Sequence, residues 1–141
     1  MVKFSGRTLA IAAVAGGAVL ASVAPVMADV SAQSPSQSAV RVQSPAKLKA
    51  WGAVAEVEVT YACPQYASSA YLYVYVNQNV WGRIASGSGS KSVTCTGGFE
   101  TVKVNVAAQN LAFWPADAFA RADLNAYPGA TSDERVIKLE Y

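Results

Sequence analysis

The chain has 141 residues, 52% of them hydrophobic and 14% charged, a composition suited to one folded domain rather than a disordered segment. Its 11 basic and 9 acidic residues nearly balance, and it contains no histidine. This excludes the basic footprint of a nucleic-acid-binding domain, histidine-based nucleophilic schemes and the usual zinc sites.

Residues 1–28 read as a secretory signal peptide. Lys3 and Arg7 precede an Ala/Val-rich stretch from Leu9 to Val23, and Val26 and Ala28 are the small residues a signal peptidase reads, placing the cut at PVMA|DV. Removing Lys3 and Arg7 leaves nine basic against nine acidic residues, so the expected mature chain is neutral. It has no lipid-accepting cysteine after the cut and no later stretch able to span a bilayer, so its expected location is secreted, outside the cell. Residues 29–38, Ser/Gln/Pro-rich and without hydrophobic periodicity, read as a flexible leader, and residues 39–141 as the folded domain.

From Ala39 the chain runs in short alternating segments. AVRVQ is a first strand ended by Ser44-Pro45. AVAEVEVTYAC sets Val57, Val59 and Tyr61 against Glu56, Glu58 and Thr60, the pattern of a half-buried antiparallel strand. In AYLYVYVNQ, Leu72, Val74 and Val76 alternate with Tyr71, Tyr73 and Tyr75. Three adjacent phenol hydroxyls in a thin aliphatic core would need three partners, so the aliphatic residues are expected inward and the tyrosines outward. VWGRIASGSGSKSVTC reads as one or two strands around a Gly/Ser turn. ETVKVNVAA turns Val102, Val104 and Val106 inward; AFARADLNAY opposes Ala120, Ala122 and Leu124 to Phe119, Arg121, Asp123 and Asn125; ERVIKLEY opposes Ile137 and Leu139 to Lys138 and Glu140. Cys63 and Cys95, an even pair in a chain bound for an oxidising compartment, read as a disulfide. Seven to eight strands at this spacing predict an all-β fold, an immunoglobulin-like antiparallel sandwich with one disulfide.

The arrangement VTYACP…RIASGSGSKSVTCTG…ETVKVNV…WPADAFARADLNAY resembles small secreted single-domain proteins of actinobacteria, over roughly residues 50 to 130. That group is mostly without assigned function, so the resemblance implies no catalytic residue. Cys95 lies before the fifth or sixth strand with no tyrosine two residues ahead of it, which leaves the sandwich subtype open.

The chain is read as non-enzymatic, with no metal and no cofactor. Asp117 with Asp123, or Glu56 with Glu58, have the composition of a glycosidase pair, but Glu56 and Glu58 share the outer side of one strand, where carboxylates serve solubility. GSGSKS lacks the spacing of a phosphate loop, and Asp133-Glu134 near Asp123 lacks a calcium-loop pattern. Arg41, Lys47 and Lys49 read as a solvated edge.

What remains is a binding module with candidate ligand-binding residues Tyr71, Tyr73, Tyr75, Trp81 and Trp114, acting on a cell-envelope glycan or an exported protein. For each of Trp51, Trp81 and Trp114 the competing role is core packing or loop anchoring. The alternatives are a small-molecule carrier with an apolar cleft lined by Phe113, Trp114 and Phe119, or an inhibitor of a secreted hydrolase using the loop NQNVWGR.

Overall fold

The computed structural model describes residues 38–126 and 129–141; the expected signal peptide and nearly all of the expected leader lie outside the described residues. Eight strands follow in order: β1 (Ala39–Val42), β2 (Ala46–Lys49), β3 (Val54–Ala62), β4 (Ser69–Val80), β5 (Arg83–Thr94), β6 (Glu100–Ala108), β7 (Asp117–Ala126) and β8 (Gly129–Glu140). Among the described residues no helix is long and apolar enough to cross a membrane.

Alternation decides which side of each strand is buried. Val57, Val59, Leu72, Val74, Val76, Val106, Ala120, Ala122 and Leu124 are fully enclosed, with Ile137 and Leu139 nearly so, and they form one core. Tyr71, Tyr73 and Tyr75 point outward. On β7 the inward side is mostly alanine, which leaves interior room beside the Val/Leu row of β4, with which it pairs from Leu72↔Leu124 to Val76↔Ala120.

The expected open sandwich is corrected by the pairing. The sheet closes into a seven-stranded barrel, β3-β2-β8-β7-β4-β5-β6 and back to β3, with β1 pairing the other end of the β3 edge that β2 uses. Two strands bridge what would otherwise be the halves of a sandwich. β2 pairs β3 antiparallel and β8 in parallel. β5 follows β4 along its whole length yet also pairs β6 through Gly87↔Ala108 and Ser88↔Ala107.

Glycine makes the second seam possible. A Cβ on Gly89 would stand 2.1 Å from the Asn105 carbonyl oxygen, and one on Gly87 would stand 2.4 Å from that of Ala107. GSGSKS is therefore not a turn but the middle of β5, where absent side chains let two backbones meet. The turn lies earlier, at Trp81-Gly82. β2, which the sequence reading did not separate from the segment after Ser44-Pro45, follows that cis peptide directly.

Two polar ties reinforce the frame. The Tyr61 hydroxyl lies 2.9 Å from the Thr94 carbonyl and 3.1 Å from Glu100, and burial together with that carboxylate pushes its phenol up to about 12. Nearby, the Cys63–Cys95 disulfide joins the residue after β3 to the residue after β5 across a separation of 32 residues. On chain entropy such a link stabilises a fold by about 3–4 kcal/mol.

The second tie is Asp133, whose carboxylate accepts the Val42 N–H at 2.8 Å and the Arg135 guanidinium at 2.8 and 3.1 Å, fastening β1 to β8. Burial acts to raise its pKa, but Arg135, the Val42 N–H and Arg41 outweigh burial and hold it below the usual aspartate value. A carboxylate depressed in the folded state contributes stability above its unfolded pKa and loses it as pH falls through the folded one. This tie is thus whole at neutral pH and fails in acid.

Closure at the β5–β6 seam gives a direct prediction. Gly89→Ala should destabilise the protein by about 1–3 kcal/mol in denaturant unfolding, since a backbone must move to admit one methyl. Gly129→Ala, whose added carbon meets nothing within 4 Å, should stay within about 0.5 kcal/mol of the parent.

Candidate functional site

The five candidate binding residues separate into two places. Tyr71, Tyr73 and Tyr75 lie along the outer face of β4, whereas Trp81 caps the β4–β5 hairpin, about 20 Å beyond Tyr75 at the usual rise per strand residue. Trp114 joins Trp81, their ring centroids 4.8 Å apart and tilted by 54°.

The tyrosine face is a ladder set by register. Tyr71, Tyr73 and Tyr75 stand opposite Ser92, Ser90 and Ser88 of β5 on one side. On the other they stand opposite Asn125, Asp123 and Arg121 of β7. Their relative exposures are 56%, 37% and 42%, so each ring covers its neighbours yet keeps a free surface. The Tyr71 and Tyr73 rings are nearly parallel, 22° apart, with centroids separated by 6.1 Å.

Tyr73 and Tyr75 border an open groove of about 560 Å³ with Arg121, Asp123, Asn125, Thr131 and Ser132. Arg121 borders the groove, donating from Nε to Asp123 at 3.0 Å and from Nη1 to Glu134 at 3.0 Å. The Asp123 hydrogen bond, then its charge, raise the Arg121 pKa further. The groove thus offers aromatic faces beside a fixed guanidinium, carboxylates, an amide and hydroxyls.

The other place is one end of the barrel, built by three connections. Trp51 sits in the β2–β3 turn, Trp81 in the β4–β5 turn and Trp114 in the β6–β7 connection, with exposures of 91%, 79% and 47%. None is a core residue, so the packing role weighed for them in the sequence does not hold. Phe113 is the buried anchor instead, 1% exposed, and its N–H donates to the Gly52 carbonyl at 2.8 Å. Gly52 must be glycine: its φ is +86°, and a Cβ would stand 2.1 Å from the Phe113 carbonyl oxygen.

Gln78 fixes Trp114. Its side chain, 3% exposed, donates to the Trp114 carbonyl at 2.8 Å and accepts the Trp114 N–H at 2.8 Å, as a neighbouring strand would. Asn110 holds the same connection to β5 by donating to the Ile84 carbonyl at 2.7 Å and accepting the Ser86 N–H at 3.0 Å. Trp51 and Trp81 occupy left-handed backbone at φ 59° and 50°, a conformation costing a bulky residue on the order of 1–3 kcal/mol and kept only where surroundings enforce it. At Trp81 the Gly82 N–H donates to the Asn79 side chain at 2.8 Å, which closes the two-residue turn.

Other sequence candidates do not converge. Phe119 lies on the outer face opposite Asn77 and Val136, away from Phe113 and Trp114, so those three line no common cleft. In NQNVWGR only Trp81-Gly82 forms the turn, and the rest is strand. Glu56 pairs with Lys49 and, at 3.7 Å, with Lys103; the Lys49 hydrogen bond leads the effects holding its pKa below the usual glutamate value. Asp133 is engaged with Arg135 and β1, while Asp123 and Glu134 take Arg121, so these carboxylates do not gather around one point. Trp51, Arg83 of NQNVWGR and Tyr141 border the tryptophan end, and of these only Tyr141 had no candidate role in the sequence. The recoverable signal was the repeated Trp-Gly pair at 51–52 and 81–82, each between strand-like runs.

No protein-family model matches the chain, and no curated protein matches it. Among solved structures, a chain of the archaeal flagellum of Methanospirillum hungatei strain JF1 aligns with 16% identity and a TM-score of 0.41, covering 98% of this chain and 96% of that one. At that TM-score the similarity carries no weight for fold or role.

The Gln78 clamp predicts a separable effect. Gln78→Leu strips both Trp114 backbone groups of their partner and should cost about 1–3 kcal/mol. It should also abolish the far-ultraviolet circular-dichroism couplet expected of the Trp81–Trp114 pair while the β-sheet signal persists. An unchanged couplet and unchanged stability would mean that Gln78 does not position Trp114.

Proposed function

We propose that this protein is a secreted, non-enzymatic binding module whose contact surface is the outer face of β4, and that its ligand is a cell-envelope glycan. The observation that carries this reading is the groove in which Tyr73 and Tyr75 flank Arg121, Asp123 and Asn125. A pyranose ring presents an apolar face of C–H groups and a rim of hydroxyls. Exposed tyrosine rings on a rigid strand match the first, and charged and amide groups held by ion pairs match the second.

Several features agree with this role. The tyrosines are already ordered by their cross-strand neighbours, so binding costs little side-chain entropy. The groove is open and broad, as a polymer needs, and its charges are mixed rather than of one sign. The chain has no histidine and both cysteines are joined, so neither supplies a nucleophile or a proton relay. The disulfide is of the kind that persists in oxidising compartments, which supports export.

The test is retention on an insoluble cell-envelope preparation and on immobilised glycans, comparing residues 29–141 with its Tyr73→Ser/Tyr75→Ser variant. Wild type should be retained, and the variant should lose about tenfold or more in affinity while unfolding at a similar denaturant concentration. Equal retention would place the contact elsewhere. Capture of a protein from culture supernatant, with no glycan retained, would make the partner class wrong.

A further inference from the structure

From the tryptophan end of the barrel we infer a lipid-contact site: the tips of three connections enter the headgroup layer of a zwitterionic bilayer surface, touching it without spanning it. The site lies about 20 Å along β4 from the tyrosine groove, and the inference stands whether or not that groove binds glycan.

Trp51, Trp81 and Trp114 are the chain's three tryptophans, and all lie here, at exposures of 91%, 79% and 47%, beside Tyr141 at 60%. Aromatic rings bury about 150–250 Å² each when enclosed, so these four leave roughly 500 Å² of aromatic surface in water. That is near the top of the range for the largest patch on a monomer, where such patches mark contact sites. Trp51 and Trp81 sit in turns, in left-handed backbone, and are the most exposed of the set. Indoles this exposed are the tips of the barrel end rather than the walls of a closed pocket, and a small ligand would leave most of their surface wet.

Hydrogen-bonding capacity and charge decide what covers them. A protein interface or a sugar site sets polar groups around its apolar centre. Here the nearby amides are spent on the turns themselves. Gln78 holds the Trp114 backbone, Asn110 bonds Ile84 and Ser86, and the Asn79 side-chain oxygen takes the Gly82 N–H. Arg83 and the main-chain carboxylate of Tyr141 border the same recess and offset each other, so this recess has no net charge. Amphipathic rings with no charge preference suit the bilayer interface, where indole and phenol sit at headgroup level with one end wet and the other apolar. The Arg83 guanidinium, on its long stem, reaches back toward headgroup phosphates. The barrel wall takes no part: β7 and β8 turn Arg121, Asp123, Glu134 and Lys138 outward, unlike the apolar band of a membrane-spanning barrel. Contact is therefore confined to the end.

The test is co-sedimentation of the oxidised mature protein with phosphatidylcholine vesicles, read alongside its tryptophan emission, which reports only this end. The protein should sediment with the vesicles, shift its emission to shorter wavelength and be quenched by brominated phosphatidylcholine. Binding should persist at high salt and need no phosphatidylglycerol, because no net charge drives it. Trp51→Ser/Trp81→Ser should weaken partitioning about tenfold or more while keeping the parent β-sheet spectrum. Tyr73→Ser/Tyr75→Ser should bind vesicles as the parent does, which separates this site from the glycan groove. Absence of co-sedimentation and quenching, or binding unchanged in the tryptophan variant, would overturn the assignment. So would binding confined to phosphatidylglycerol vesicles and lost in salt. Capture of one protein through Trp51 and Trp81, with vesicles ignored, would also overturn it and make the end a protein interface.

Discussion

Closure of the sheet is the constraint on which the rest depends. Once β5 reaches β6 at Gly87–Ser88 and β2 reaches β8 at Ala46–Lys47, the ring has one interior, and every strand residue falls inside or outside by parity. The interior is filled by Val, Leu, Ala and Ile, with Phe113 stopping one end. The large polar side chains that do enter it, Tyr61 and Gln78, each have hydrogen-bond partners. Tyr71, Tyr73 and Tyr75 are therefore outward because their neighbours Leu72, Val74 and Val76 are inward, and the spacing of the ladder is that of the strand itself.

The same closure explains why the two candidate sites differ in kind. On the barrel wall, side chains stand in registered rows, so an aromatic row is necessarily flanked by the outward rows of the adjacent strands. Here those rows are serines on one side and Arg121, Asp123 and Asn125 on the other, which yields a mixed groove. At the barrel end there are no rows. Side chains are placed by turns, and their positions hold only if buried groups hold the turns. Gln78 and Phe113 do so, one by imitating a strand toward Trp114 and the other by filling the mouth beneath it. The backbone that carries Trp114 is thus held by buried groups, and the Trp81 ring packs against that of Trp114.

Much of this was legible in the sequence. Alternation gave the inward and outward residues of β3, β4, β6 and β7, and the cysteine pair gave the disulfide. The barrel was not legible, because a strand in a sandwich and a strand in a barrel bury the same alternate residues; what differs is the partner on the second edge. GSGSKS read as a turn because glycine and serine dominate turns, whereas here glycine serves the close approach of β5 to Asn105 and Ala107. The polar inward side of β8 at Asp133 and Arg135 broke its alternation for the same kind of reason: β1 lies against it and supplies a backbone N–H. For the tryptophans, the sequence left core packing, loop anchoring and binding open, and topology put them at a rim.

The most direct measurement is the pattern of cross-strand nuclear Overhauser contacts and amide exchange at the two seams in the oxidised protein. A closed sheet predicts contacts linking Gly87 and Ser88 to Ala108 and Ala107, and Ala46 to Leu139, with slowed exchange of the amides that bond across them. An open sandwich would show neither set of contacts and rapid exchange along the free edges of β5 and β2, and that result would contradict the barrel.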